Sequence, residues 1–308
     1  MPRSPRFLLA VLLAALLALA LCAEGAVARG KFGHGHADPA ERVGSAVAVT
    51  SARALTSPKR KAQPQTKTQP SSQPSTAASD LLFYGDEIGD FAMNQSAPGA
   101  VSEVADPAGS GRSVLQMSVA NSDVAPVTPT SDPRAQLLSP SIIENGDEFW
   151  WSGKFFLPSD FPSSVPGWLT VMEGPYGAPF DGTPPWHIEV NGSEIQWTRN
   201  DTYGYDIPWQ MPLVRNQWVE VMVHERFAAD GWVEMWVDGQ QITFFDGGAY
   251  NPDNESPTTR LAMATRDHSN DDGPNFTVIQ SYRKANMFSS VSLDQGPMAI
   301  GRTRAAVE

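Results

Sequence analysis

In several short segments between Phe149 and Phe245 apolar side chains return at every second position, and that alternation fixes what the chain can become. Phe149, Trp151, Phe155 and Leu157 share one side of their segment; Val219, Val221 and Val223 share one side of the next. Val233, Met235 and Val237 do the same before Asp238-Gly239, a dipeptide suited to a two-residue hairpin turn into Gln240–Phe245. A period of two belongs to strands half-buried in a sheet, and no run has the period of a helix. Many such strands in one undivided segment predict an all-β, two-sheet sandwich or jelly roll.

The other sides of these strands are unusual. They carry Trp218, Glu220 and His224, then Trp232, Glu234 and Trp236, where Thr, Lys or Ser would be ordinary. In Trp186–Val190, His187 and Glu189 lie together, opposite Trp186, Ile188 and Val190. Aromatic rings among carboxylates and imidazoles suit a sugar, whose ring has an apolar face and a hydroxyl edge. The alternative is a second layer of core beneath loops.

Composition divides the chain at Asp80. Arg3 and Arg6, the apolar run Phe7–Leu21 and the small residues at Ala26-Val27-Ala28 read as a signal peptide over 1–28. The run is short for a membrane span, so no stable membrane insertion is expected; lipidation at Cys22 or an uncleaved anchor are the rivals. Residues 29–79 are rich in Pro, Ser and Gln and read as a disordered linker. His34 and His36 within it do not make a metal site. Residues 80–308 hold all nine tryptophans, and twelve Lys and Arg against 31 Asp and Glu. So acidic a domain argues against nucleic acid as a partner. Cys22 is the only cysteine, which excludes a disulfide within the chain. A secreted or cell-surface monomer acting on a polysaccharide is the expectation.

Several blocks, in order, resemble the heparin lyase I family. They are Gly146–Pro162, Pro184–Val190, Asn216–Val221, Gly231–Gly239, Tyr282-Arg283-Lys284 and Met298–Thr303, spread over residues 80 to 304. The resemblance implies a concanavalin A-like jelly roll of the lectin and glucanase type that cleaves uronate polysaccharides by β-elimination. That reaction needs a group to neutralise the uronate carboxylate, a base for the C5 proton and an acid for the departing O4.

Tyr282 matches the tyrosine of the C-terminal motif and is the expected catalytic acid and a candidate base as well, with His187 as helper. Gln280 and Lys284 would flank Tyr282 on one face, and Lys284 would lower the phenol's pKa; Arg283 would point away. Arg134-Ala135-Gln136 matches an Arg-x-Glu strand with Gln136 in place of Glu. Val171-Met172-Glu173-Gly174 stands where related lyases carry Gln-x-His, so no histidine is present there. Glu173 is a candidate base, calcium ligand or hydroxyl partner. Substrate binding is thus expected from Arg134, Gln136, Glu173, Trp218, His224, Trp232, Trp236, Gln280 and Lys284. The oxygen-rich segment Asp267–Asn275 could bind Ca2+, though its spacing is not that of an EF-hand, and no cofactor is otherwise implied. A non-catalytic glycan-binding module is the alternative. A glycoside hydrolase is a further one, but the chain lacks a Glu-x-Asp-x-Glu strand.

Overall fold

The computed structural model describes residues 80–123, 132–176, 184–201, 204–246, 256–266 and 274–308. The expected signal peptide and linker, and residues 267–273 of the oxygen-rich segment, lie outside them. The strands are β1 (Leu81–Gly85), β2 (Met93–Asn94), β3 (Val101–Ala105), β4 (Ser113–Ala120), β5 (Arg134–Leu138), β6 (Glu148–Phe156) and β7 (Val165–Tyr176). They continue through β8 (Trp186–Gly192), β9 (Glu194–Asp201), β10 (Gly204–Pro212), β11 (Trp218–Arg226), β12 (Trp232–Val237) and β13 (Gln240–Gln241). The last are β14 (Phe244–Asp246), β15 (Ser256–Thr258), β16 (Leu261–Ala262), β17 (Phe276–Arg283), β18 (Ser290–Gln295) and β19 (Met298–Gly301), before a one-turn helix α1 (Arg304–Val307).

Two large antiparallel sheets result, beside a two-stranded pair of β14 with β15. The ten-stranded sheet runs β13-β12-β11-β6-β18-β4-β3, with β1 on β19, β19 on β6 and β16 on β12. The seven-stranded sheet runs β10-β9-β8-β7-β17-β5-β2. Neighbours far apart in sequence make this a jelly roll, a sandwich of the concanavalin A-like type.

Between the sheets the alternating apolar positions meet. Val219, Val221 and Val223 from β11, Phe149, Trp151 and Phe155 from β6, and Trp186, Ile188 and Val190 from β8 are all buried in one core. The expected hairpin is present: Trp236 pairs with Gln241 and Val237 with Gln240. Asp238 and Gly239 have φ of 50° and 75°, the left-handed pair such a turn requires.

Two buried indoles reach polar partners across this core. Trp151 donates its indole N–H to Thr277 at 2.9 Å, and Trp186 donates to Glu225 at 2.9 Å. Glu225 is fully buried, and burial pushes its carboxyl up to about 8, against the opposing effect of the Trp186 hydrogen bond. A neutral acid is therefore part of the core.

Candidate active site

The sheet register assembles a polar row across the outer face of the seven-stranded sheet. Arg134 pairs with Tyr282, Tyr282 with Thr170, Thr170 with Glu189, Glu189 with Gln196, and Gln196 with Gln210. The row crosses six strands, about 24 Å at the usual strand spacing. A second, shorter row lies beside it: Gln136 faces Gln280, while Glu173 faces His187 and His187 faces Thr198.

Irregular pairing makes this face possible. The register of β7 against β8 shifts between Thr170 and Met172, and that of β17 against β7 shifts between Ile279 and Tyr282. The β7 irregularity lets Thr170 and Glu173, three residues apart, both join the side of His187 and Glu189. Val171 and Met172 between them stay in the core. Bulges leave ladder carbonyls without partners, and Gln295 of β18 supplies them. Its amide donates to Val171 O at 3.0 Å and to Gln280 O at 3.1 Å, from the opposite sheet. Gly174 is needed next: a Cβ there would stand 2.5 Å from the Trp186 ring.

Tyr282 sits at the centre of the cationic end. The Arg134 guanidinium lies 4.1 Å from the centre of its ring, and the edge of Trp168 packs at 4.9 Å between centroids. Arg134 also donates to the Gln136 amide oxygen at 3.1 Å. Burial raises the pKa of the phenol above its ordinary value; Arg134 works against that, and the carboxylates of Asp132 and Glu173 add to it. This corrects the expected role of Lys284. The cation that works to lower the phenol's pKa and lies on its ring is Arg134. Lys284 follows the end of β17, is exposed, and packs its stem near Gly167. A tyrosine kept protonated in this way is a proton donor.

His187 is two strands away from Tyr282, about 10 Å across the sheet by strand spacing. Its Nε2 lies 3.2 Å from Glu189, whose other oxygen accepts from the Asn191 amide at 3.3 Å. A carboxylate only accepts, so Nε2 donates and Nδ1 keeps the lone pair. Gln280 is wholly buried on this face, and both atoms of its amide lack a hydrogen-bond partner among the described residues. A buried, unpartnered amide is costly unless a ligand completes it.

Arg283 points inward as expected. It is buried between the sheets, and its Nη2 donates to Val119 O and Phe288 O.

The four remaining candidates lie elsewhere. Trp218, His224, Trp232 and Trp236 stand on the outer face of the ten-stranded sheet, so the expected residues do not form one groove. His224 stacks on Trp150 with centroids 4.1 Å apart, and its two nitrogens are each 2.9 Å from a carboxylate, Glu234 and Glu148. Arg260 covers Trp232 at 3.9 Å and binds Glu234 at 3.0 Å. Burial works to raise the Glu234 pKa, but hydrogen bonds from Arg260 and His224 hold it below the usual range. Trp236 is buried against Trp150, and Trp218 donates to Asp106 at 3.1 Å beneath Lys154. Strand alternation had placed each of these side chains on the correct side of its strand, but alternation does not say which sheet the strand joins.

Thr170, Glu189, Gln196 and Gln210 were not singled out as site residues in the sequence. A signal existed for two of them. Glu189 shares a face with His187, and Ile195-Gln196-Trp197-Thr198 alternates cleanly, with Gln196 and Thr198 opposite the core. Among the described residues no cluster of His, Cys, Asp and Glu could hold a metal ion, and no helix is long and apolar enough to cross a membrane.

The fold is a jelly roll with a polar row across one outer face. A family description for polysaccharide lyases matches residues 85–263, more than half of the chain, and the chain belongs to that family. It is a polysaccharide lyase. Among solved structures it is similar to an endo-β-1,4-glucuronan lyase from the fungus Trichoderma reesei, at 18% identity over 74% of this chain and 98% of that one, with a TM-score of 0.54. Looser likenesses are alginate lyase A1-II′, at 9% identity, 65% and 83% coverage and TM-score 0.44, and a GH131 β-glucanase from Podospora anserina, at 10%, 76%, 91% and 0.46. No curated protein matches the chain in sequence.

Proposed function

We propose that this lyase is exported and cleaves a uronic-acid polysaccharide by β-elimination. The observation that carries the reading is the pairing of Tyr282 with Arg134 at one end of a polar row that also holds the His187–Glu189 pair. The Arg134 guanidinium and the Gln136 and Gln280 amides bind the uronate carboxylate, drawing off charge as it builds at C5. His187 Nδ1 takes the C5 proton, and Glu189 steadies the imidazolium that results. The C5–H electron pair forms the C4=C5 bond, the C4–O4 bond breaks, and the Tyr282 hydroxyl protonates the leaving O4. Its raised pKa suits Tyr282 to the acid step. Glu173, beside His187, receives a sugar hydroxyl.

The strongly acidic domain makes a densely sulfated, heparin-like polymer a poor partner, so the resemblance to the heparin lyase I family is read here as one of fold and chemistry. Export is supported by the apolar run at residues 7–21 and the small residues before Arg29. The test is incubation with a panel of uronate polysaccharides while following the absorbance of the unsaturated product. A rise that disappears in Tyr282→Phe supports the reading; binding without any rise overturns it.

A further inference from the structure

We infer that the polymer cut by this site carries its uronates singly, separated by uncharged sugars, rather than as an unbroken run. The inference rests on the elimination reading above and concerns which uronate polymer is used. It comes from where the twelve cations of residues 80–308 are, all of which fall within the described residues.

Most are committed away from the polar row. Lys154, Arg226 and Arg260 stand on the ten-stranded sheet or its margin, against Trp218, Asp230 and Glu234 respectively. Arg304 binds Glu308, and Arg302 and Arg112 border strands β19 and β4 of that same sheet. Arg215 donates to Ser159 O and Phe161 O. Arg283 is sealed between the sheets. Arg266 follows Thr265, which is tied to Arg226 O and Ala228 O. Arg199, in β9, is paired with Asp206 and by alternation faces away from Thr198. Arg134 and Lys284 stand at the Tyr282 end.

The rest of the row offers a carboxylate no cation. Beyond Tyr282 come Thr170, Glu189, Gln196 and Gln210, with Glu173 alongside. Amides and hydroxyls suit neutral sugar hydroxyls, whereas a second uronate laid over Glu173 and Glu189 meets like charge in a place where both carboxylates are buried. One uronate is recognised at Arg134, and its neighbours toward β10 must be neutral.

The experiment compares initial rates of the full chain on homopolymeric glucuronan and alginate with those on a linear polymer bearing one glucuronate per neutral-sugar repeat, such as deacylated gellan. The expected result is a kcat/KM at least tenfold higher on the sparse polymer. Gln210 is exposed at the far end of the row, so Gln210→Lys supplies the missing cation without disturbing the core. It is expected to lower KM for the homopolymers at least threefold and so narrow the difference in kcat/KM between the two kinds of polymer. Homopolymers cut as fast as the sparse polymer, or an unmoved homopolymer KM in Gln210→Lys, would overturn the inference while leaving elimination intact. No unsaturated ends from any of the polymers would overturn the elimination reading itself.

Discussion

The two outer faces of the sandwich are built from similar residues and reach opposite ends. On the ten-stranded sheet, Trp150, His224, Trp232 and Glu234 complete one another: rings lie under guanidinium or imidazole, and each imidazole nitrogen meets a carboxylate. On the seven-stranded sheet, the side-chain amide of Gln280 has no partner among the described residues, and Tyr282 is flanked by a cation on its ring rather than by a base. A polar face whose groups satisfy each other is covered surface. One whose buried groups wait for a partner is a site. The lesson is that aromatic and acidic residues alternating along a strand do not by themselves mark a groove; what matters is whether their needs are already met.

The sharpest way to break the comparison is Tyr282→Phe, which keeps the ring against Trp168 and removes only the acidic hydroxyl. Elimination should fall about 1,000-fold with an unchanged melting temperature, a loss in the range expected for a general acid. A rate within tenfold of the parent would move the acid elsewhere. His187→Asn should cost about 100-fold in kcat with little change in KM, since it removes the base but not the carboxylate clamp.

The core offers a test that neither face can imitate. Glu225 holds its proton up to about pH 8 when folded, against an ordinary value of 4.5. The folded chain thus retains a proton that the unfolded chain releases, so this contribution to stability is full below about pH 4.5 and is lost as pH rises through about 8. The span is on the order of 5 kcal/mol. Glu225→Gln should flatten the dependence of melting temperature on pH over that window; a slope equal to the parent's would show that the carboxyl is ionised in the fold. The smallest effect is expected on the covered face. Trp232→Ala should lower stability by about 2 kcal/mol and leave elimination within twofold of the parent, because it strips a packed ring from Arg260 and His224.

Much of the fold could be read from alternation, since a period of two names both the strand and its inward side. Tyr282, Arg134 and His187 could be named as candidates through resemblance and spacing. Their company could not. Arg134 and Tyr282 are 148 positions apart and become neighbours only because β5 pairs with β17. The β7 irregularity that puts Thr170 beside Glu173 is invisible in a pattern that assumes strict alternation. Trp232 and His187 looked alike in sequence, each a ring beside a glutamate, because which sheet a strand joins is a long-range choice that local periodicity does not record.

The pairing of β1 with β19 has a mechanical consequence. Asp80 accepts from the backbone of Arg302, Leu81 pairs with Gly301, and Ser152 donates to Val307 O, so the first and last strands of the domain are fastened to each other. Neither end can fray alone. Trimming the chain after Gly301 should loosen Leu81–Gly85 as well, visible as faster amide exchange at the amino-terminal edge. A pull applied through residue 80 would be borne in shear by β19 and β6 on the ten-stranded sheet, with the polar row on the sheet opposite spared the load.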